Sequence, residues 1–249
     1  MFTETEAIVL KQTKIANGRR MLVLFTKKFG KISAGTSLTE RGKGKSALAL
    51  RPFAQGRYEL NKSGNSYHIN NGEVIASHYR IGEVVDKYIC ASYVLEFIEK
   101  LLPEDAPSPS LYLLLSDFLD RMERRSGKYE TLVTAFQVKA LKHSGSEPRL
   151  DRCIECGTEE DLDHFSIKEG GVLCRNCATT DGAKERLLYD VGFDIVNVLR
   201  YLTEQPLSAV EGLALDEITL TKIRPLIRRY YAYHLDIGEL KSEELMEPR

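Results

Sequence analysis

Residues 153–156 read Cys-Ile-Glu-Cys and residues 174–177 read Cys-Arg-Asn-Cys, and these two pairs decide the organisation of the chain. Two CxxC pairs at this separation fall within the spacing at which four thiolates converge on one tetrahedral zinc ion. Four cysteines fill the coordination sphere, so no position is left for water or a substrate. The sequence thus predicts one structural Zn²⁺ per chain. Its ligands are Cys153, Cys156, Cys174 and Cys177.

The segment between the two cysteine pairs has the pattern of a short hairpin. Its apolar residues lie on either side of a Gly-Gly turn at 170–171. His164 lies in the same segment, but four cysteines already suffice, so we predict that it does not bind the metal. Four unligated thiols or two disulfides are the alternatives, and paired CxxC motifs at this spacing favour the metal.

The residues upstream of the cysteines begin with a series of short strands. Five stretches with strand character lie within the first eighty residues, and turn residues separate them. The stretches are 5–10, 21–26, 32–37, 56–60 and 67–69. Such a series predicts a small antiparallel barrel of the OB-fold type. Residues 38–46 are rich in glycine and positive charge, which predicts a mobile basic loop.

Beyond residue 80 the apolar period changes from two to about 3.6, which indicates helices. The predicted helices cover 83–102, 110–122, 129–143, 191–202 and 218–235. Pro225 should kink or restart the last of them. The predicted fold class is α+β, with an N-terminal five-stranded OB-fold barrel followed by an all-helical domain with an inserted four-cysteine zinc element. The predicted domains are the barrel at 1–79, the helical domain at 80–149 and 179–249, and the zinc-binding insertion at 150–178.

Charge is distributed unevenly along a chain whose formal net charge is −1. Residues 1–79 hold thirteen Lys and Arg against five Glu, so this part carries +8 and the remainder −9. A basic surface of this kind binds nucleic acid by neutralising phosphates, whereas its alternative is a solvated face without a partner. The candidate DNA-binding residues are Arg19, Arg20, Lys27, Lys28, Lys31, Arg41, Lys43, Lys45 and Arg51.

Aromatic residues are interleaved with these cations, which would allow stacking on bases. The candidates are Phe25, Phe29, Phe53, Tyr58 and Tyr67. In a barrel this small, however, an aromatic side chain usually belongs to the core. The pattern leaves both roles open.

No motif for bond-making chemistry stands out. The chain lacks the GxxxxGK[ST], HExxH and GxSxG motifs, so we predict that it is not an enzyme. An RNA-binding OB protein with a zinc ribbon and a protein adaptor with a basic barrel remain alternatives. A preference for ribose or deoxyribose strands would separate the first of these from a DNA-binding protein.

Two features of the sequence bear on the location of the protein. No apolar run reaches the length needed to cross a membrane, and the first residues lack the basic region of a signal peptide. We therefore expect a cytoplasmic protein with no membrane partner.

Short motifs spread from one end of the chain to the other carry a family resemblance. They are EAIVL at 6–10, LFT at 24–26, FGKISA at 29–34, LRPF at 50–53, GEVI at 72–75, ASYVLE at 91–96, LLP at 101–103, LDRC at 150–153, GGVLC at 170–174, YHL at 233–235 and LKS at 240–242. Each motif is weak alone, but their shared order is specific. The sequence resembles RecO, the family of bacterial recombination mediators.

This resemblance implies a non-catalytic protein that binds single- and double-stranded DNA and anneals complementary strands. It also implies that the protein works with RecR, contacts the acidic C-terminal tail of single-stranded-DNA-binding protein, and helps to load RecA. One departure is Asn17-Gly18-Arg19-Arg20, where relatives usually have an acidic residue. The two arginines add positive charge there and would strengthen phosphate contacts.

A second basic cluster lies near the C-terminal end of the chain, next to tyrosines. An acidic peptide with a terminal aromatic residue would suit such a surface, because arginine donates charge-assisted hydrogen bonds to carboxylates. The candidate partner-binding residues are Arg224, Arg228 and Arg229, near Tyr230, Tyr231 and Tyr233. A solvated helix edge over the core is the alternative.

Overall fold

The computed structural model describes residues 2–15, 19–38, 45–64, 66–179 and 186–246. The chain forms two compact units, of which the first contains Met1–Gly127 and Leu240–Arg249 and the second contains Lys128–Glu239. The second unit is therefore an insertion in the sequence of the first. The predicted three-part division of the chain stays a prediction, because compactness does not show which pieces fold independently.

Five strands form a closed barrel in the first unit, and their neighbour order around it is β1-β2-β3-β5-β4. The strands are β1 (Phe2–Lys14), β2 (Arg20–Thr26), β3 (Gly30–Thr36), β4 (Gln55–Ser63) and β5 (Ser66–Ala76). A short helix, α1 (Lys45–Leu48), separates β3 from β4. This order and connection are those of the predicted OB-fold, so the fold class is confirmed.

The barrel differs from the prediction in one pairing. β3 and β5 run parallel, with Ala34 opposite Tyr67, while the other neighbouring strands are antiparallel. The prediction of an antiparallel barrel was wrong at this seam. The intervening β4 reverses the chain once more before β5 closes the barrel, and β5 therefore enters beside β3 in the same direction.

Tyr58 fills the centre of the barrel and is fully buried. Its hydroxyl donates to the carbonyl oxygen of Ala49 at 2.5 Å. Its ring lies where Gly56 and Gly72 leave room, since a Cβ on either glycine would come within about 3.2 Å of the ring. Burial raises the pKa of Tyr58 far above its ordinary value, so the hydroxyl stays a donor.

Two long helices complete the first unit, and helices surround a small sheet in the second. The helices of the first unit are α2 (Val85–Leu101) and α3 (Pro109–Arg124), with a 3₁₀ turn at Tyr79–Glu83 before α2. The second unit contains α4 (Tyr129–His143), β6 (Leu162–Ser166), β7 (Gly171–Cys174), α5 (Arg175–Ala178), β8 (Leu188–Asp190), α6 (Gly192–Glu204) and α7 (Glu217–Leu235). No helix among the described residues is long and apolar enough to cross a membrane.

Two details of the second unit differ from the sequence expectation. The predicted hairpin of β6 and β7 gains a third strand, because β8 pairs with the other edge of β6. Helix α7 continues through Pro225 from Glu217 to Leu235. Pro225 is exposed, so the carbonyl group that loses its amide partner there can bind water instead.

Residues 240–246 return to the first unit and are fastened to α2. The carboxylate of Glu96 accepts hydrogen bonds from the backbone N–H groups of Lys241 and Ser242, both at 2.9 Å, and from the Ser242 hydroxyl at 2.6 Å. Leu240 and Ser242 are buried. Burial raises the pKa of Glu96, but the hydrogen bonds from Ser242 and Lys241 outweigh it, so the pKa lies below its usual value.

We expect Glu96→Gln to loosen the segment that follows Leu240. A neutral amide loses the charge-assisted bonds and places a donor where only an acceptor fits, which should cost about 1–3 kcal/mol. Trypsin should then cleave after Lys241 sooner than in the wild type, whereas Glu99→Gln, one turn further along α2, should leave the cleavage rate unchanged.

The same contact has a defined pH dependence. Because the folded-state pKa of Glu96 is depressed, its contribution is present above the unfolded pKa and disappears as the pH falls through the folded pKa. The difference in melting temperature between wild type and Glu96→Gln should therefore shrink on acidification. A difference that is constant from neutral pH to pH 3 would contradict this role of the carboxylate.

Candidate metal centre and nucleic-acid interface

The four cysteines of the predicted site lie together in the second unit. The Sγ atoms of Cys153, Cys156, Cys174 and Cys177 all lie within 4.8 Å of one another. The first pair lies in a turn before β6, and the second pair lies where β7 ends and the short helix α5 begins. This is the one group of potential metal ligands found among the described residues, and His164 is not part of it.

The distances between these sulfurs suit a tetrahedral metal. The Sγ atoms of Cys156 and Cys174 are 3.7 Å apart, and four thiolates at about 2.3 Å from a central Zn²⁺ would be about 3.8 Å apart. All five cysteines of the chain are free thiols in this structure. The donor set therefore fits a structural metal ion.

Backbone hydrogen bonds fix the first cysteine pair against the second. The N–H of Gly157 donates to the carbonyl oxygen of Cys153 at 3.0 Å, which closes the turn around the pair. The N–H of Ile154 donates to Val172 of β7 at 3.0 Å. A Cβ on Gly171 would lie 2.6 Å from the Ile154 side chain, so glycine is needed where the two segments meet.

The ionisation of the thiols is uneven. Burial disfavours the thiolate of Cys153, but backbone N–H groups around it outweigh burial and lower its pKa to about 6. Burial and the neighbouring thiols together raise the pKa of Cys177 well above its ordinary value. Four thiolates at this distance repel one another, so the cluster can be fully ionised only around a cation.

Charged side chains bind the ends of the cysteine segments to the sheet. Arg175 donates to Asp163 at 2.7 and 3.0 Å, and His164 Nδ1 lies 2.6 Å from the other oxygen of the same carboxylate. Arg186 lies 2.6 Å from Glu155, which belongs to the first pair. The hydrogen bonds from Arg175 and His164 outweigh the effect of burial and lower the pKa of Asp163. His164 therefore orients a carboxylate, consistent with its predicted lack of a ligand role.

Three of the predicted DNA-binding lysines are engaged by other groups of the first unit. Lys27 lies 2.5 Å from the Glu6 carboxylate, and Lys28 donates to the carbonyl oxygen of Glu4 at 2.6 Å. Lys31 is largely buried and donates to the carbonyl oxygen of Glu99 at 2.8 Å. These contacts give the three lysines a structural role at the turn between β2 and β3.

Of the remaining described cations, Arg19 and Arg20 lie at the other end of β1, and Arg51 lies in the segment that bonds to Val9 and Gln12 of β1. Arg19 and Arg51 are exposed, and Arg20 is directly opposite Lys14 in the ladder between β1 and β2. Like charges placed directly opposite each other repel, and a phosphate between them would relieve that repulsion. Sequence reasoning missed Lys14 as a candidate. Arg41, Lys43 and the side chain of Lys45 lie outside the described residues.

Negative charge on the barrel is concentrated away from these cations. In the ladders formed by β1, β4 and β5, Glu4 is opposite Glu59, Glu6 is opposite Arg57, and Arg57 is opposite Glu73. Eight residues of β1 separate Glu6 from Lys14, which corresponds to roughly 26 Å of extended chain. A polyanion would thus be attracted to the end with Lys14, whereas the glutamates at the other end are offset by Lys27 and Arg57.

The aromatic candidates for base stacking belong mostly to the core. Phe25, Phe53, Tyr58 and Tyr67 are buried, and Phe29 packs against the same core. Tyr58 and Tyr67 belong to the barrel core, whereas the rings of Phe25 and Phe53 pack against α3 and α2. The stacking interpretation therefore fails for the four buried rings. The strand pattern alone could not decide this, because the inner and outer faces of a closed barrel have the same period.

The arginines of the predicted partner-binding cluster lie on α7 of the second unit. Arg224 is ion-paired with Glu130, Arg228 lies 3.3 Å from Glu239, and the exposed Arg229 lies over the Tyr189 ring at 4.9 Å. Of the tyrosines, Tyr230 and Tyr231 are buried and Tyr233 is exposed. An acidic peptide could thus reach Arg228, Arg229 and Tyr233, while Arg224 is held within the unit.

Comparison with known proteins identifies the relatives of this chain. Residues 1–78 match the family model described as "Recombination protein O N terminal", and residues 83–244 match "Recombination protein O C terminal". The DNA repair protein RecO of Thermoanaerobacter sp. is 30% identical over 243 residues, which cover 98% of this chain and 96% of that protein. The DNA repair protein RecO of Alkaliphilus metalliredigens is 29% identical over 246 residues, which cover 98% of both chains.

Proposed function

Because the chain belongs to the RecO family of DNA repair and recombination proteins, we propose that it binds single- and double-stranded DNA and anneals complementary strands. It does so without catalysing a covalent step. It also helps to load the recombinase RecA onto strands coated with single-stranded-DNA-binding protein, in cooperation with RecR. The observation that carries this proposal is the full-length family match together with a barrel that places Lys14 directly opposite Arg20 at one end.

The proposed DNA surface lies at the end of the barrel that carries Lys14, Arg19, Arg20 and Arg51. β3 ends at Thr36, which is opposite Arg20 in the ladder between β2 and β3, and we include the cations of the segment that follows, Arg41, Lys43 and Lys45, in the proposed surface. When the protein holds two complementary strands, its cations screen the repulsion between their phosphates, so the strands pair faster than they do free in solution. Annealing therefore requires only DNA binding by this surface. Lys27, Lys28 and Lys31 contribute to the fold of the barrel and, through their positive charge, to its long-range field.

The proposed cofactor is one Zn²⁺ held by the four cysteines. Four thiolates in a closed tetrahedral set favour zinc over magnesium or calcium, which prefer oxygen ligands. The bound ion supplies no chemistry to DNA and holds the turn before β6 to the start of α5. The proposed site for the acidic tail of single-stranded-DNA-binding protein is the exposed part of α7 with Arg228 and Arg229.

The DNA surface is tested by reversing charge in the loop. Replacing Arg41, Lys43 and Lys45 with glutamate should weaken binding of a labelled single strand at least about tenfold and abolish annealing. The logarithmic salt slope should fall by roughly 2, since each lost phosphate contact removes about 0.7 on single strands. Fluorescence anisotropy across a salt series and annealing of complementary oligonucleotides measure these effects.

The control has the same charge change in the other unit. Replacing Lys222, Arg228 and Arg229 with glutamate should leave the salt slope unchanged and weaken binding of a peptide with the acidic tail. Annealing at the wild-type rate by the loop variant would refute the assignment of the loop. Tighter binding of ribose than of deoxyribose strands by the wild type would favour the RNA-binding alternative.

A further inference from the structure

The start of α2 presents an apolar face to solvent, formed by Tyr79, Val84, Val85 and Tyr88. Their exposed fractions are 58%, 40%, 73% and 46%. Val84, Val85 and Tyr88 have the spacing of one side of a helical turn, and the N–H of Tyr88 donates to the carbonyl oxygen of Val84 at 2.9 Å. Contiguous exposed apolar side chains of this kind mark interaction sites. We refer to these four residues as the α2 apolar face.

A single glutamate of α3 fastens the segment that carries this face. The Glu123 carboxylate lies 3.3 Å from Nδ1 of the buried His78 and accepts a hydrogen bond from the backbone N–H of Arg80 at 3.3 Å. The backbone carbonyl oxygen of Glu123 accepts a hydrogen bond from the Lys87 amino group at 2.9 Å. The chain on both sides of Val84 and Val85 is thus fixed. The exposure of the apolar face is therefore a property of the fold and does not result from a loose loop.

Tyr88 combines anchoring with exposure. Its ring meets the buried ring of Phe53 edge to face, with 5.5 Å between the centroids, while nearly half of the residue remains accessible. A ring held in this way loses little side-chain entropy on binding a partner. Anchored aromatic residues within apolar surroundings are the residues that most often dominate the energy of protein interfaces.

The charges around the face select the chemistry of the partner. Glu83 and Asp86 are exposed within the same ten residues, and Asp120 of α3 is exposed beside His78. Arg80 and the buried Lys87 are the cations of this segment, and Glu123 of α3 adds a fourth carboxylate. The surroundings are thus net negative. Phosphates and acidic peptides are repelled here, whereas a segment rich in Lys and Arg is attracted.

We propose that the α2 apolar face is a docking surface for a protein segment with apolar anchor residues flanked by Lys or Arg. Val85 and Tyr88 receive the anchors, and Glu83 and Asp86 receive the flanking cations. In its charge the surface differs from the DNA surface and from the arginines of α7, both of which attract negative charge. The use of RecR as the binding partner in the experiment rests on the proposed function, whereas the assignment of the face does not.

The experiment measures binding of purified RecR to the full-length protein. Val85→Lys removes the apolar contact and repels cations, so it should weaken binding about 30-fold, or about 2 kcal/mol. Val85→Asp removes the same contact but keeps the favourable charge, so it should weaken binding less, about tenfold. Leu113→Lys, at an exposed leucine of α3 outside the face, should change the affinity less than twofold.

Annealing without RecR is measured in parallel on all four proteins. It should be the same in each, and the melting temperatures should agree because both Val85 and Leu113 are largely exposed. Wild-type affinity of Val85→Lys for RecR, or no binding of RecR by the wild type, would overturn the proposal. Loss of annealing in Val85→Lys would also overturn it, because the face would then serve DNA. If the wild type itself fails to anneal, the proposed function fails instead.

Discussion

Replacing Cys174 with serine is expected to release the metal and unfold the segment around it. Cys174 lies at the end of β7, and its loss leaves three thiolates at a site whose sulfurs all lie within 4.8 Å. Metal content should fall from about one ion per chain to almost none. Since structural zinc contributes its binding energy to folding, the second unit should lose more than about 3 kcal/mol, or about 10 °C in melting temperature.

Elemental analysis and calorimetry of the variant measure these effects, and Cys90 offers a matched control. Cys90 is a buried thiol of α2, outside the cysteine cluster. Cys90→Ala should keep the metal at the wild-type ratio. Chelation of wild-type protein should reproduce the Cys174→Ser result. If Cys174→Ser retained one ion per chain, or if chelation left the melting curve unchanged, the metal would have no structural role.

Gly30→Ala should destabilise the first unit by more than about 4 kcal/mol. Gly30 begins β3 with a φ of 70°, a value that L-residues rarely adopt. A Cβ there would run into the carbonyl group of Ala106, and it would lie 2.8 Å from the nitrogen of the same residue. The turn and the loop before α3 would have to separate, which breaks the bond from the Asp105 N–H to Lys31 at 3.0 Å.

The loss of stability in Gly30→Ala has two causes, the positive φ and the contact with Ala106, and Gly64→Ala separates them. Gly64 also has a positive φ, 58°, but a Cβ there would meet nothing within 4 Å. It should therefore show only the backbone cost of about 1–2 kcal/mol. Urea denaturation followed by a probe in the barrel gives both values. Equal losses in the two variants would mean that backbone strain alone matters and that the contact with Ala106 does not.

Local sequence patterns were sufficient to predict the strands, the helices and the metal ligands. The spacing of the cysteines predicted a cluster that the structure confirms, because two tight turns and a hairpin leave few ways to arrange four thiols. The period of two and its change near residue 80 located the five strands and the start of α2, although β5 continues to Ala76, seven residues beyond the predicted stretch. These features depend on neighbours in sequence, which is why a single sequence contains them.

Contacts between distant residues were not predictable in this way. The sequence presents Lys31 as one more basic residue, yet its partner is Glu99, 68 positions away. Glu123 joins residues 78, 80 and 87 only once α3 has packed beside them. Whether a cation is available to DNA, or an aromatic ring to a base, is decided by such partners. Lys27, Lys28 and Lys31 thus have partners within the first unit that the sequence does not indicate.

The return of residues 240–246 to α2 affects the order of events during protein synthesis. A ribosome adds about 5–20 residues per second, so roughly 6–24 s pass between the synthesis of the end of α3 and the synthesis of Ser242. During that interval Glu96 has no partner from the final segment. The second unit, which is continuous in sequence, can complete its contacts first. The unit that starts to fold first is thus the last to be completed.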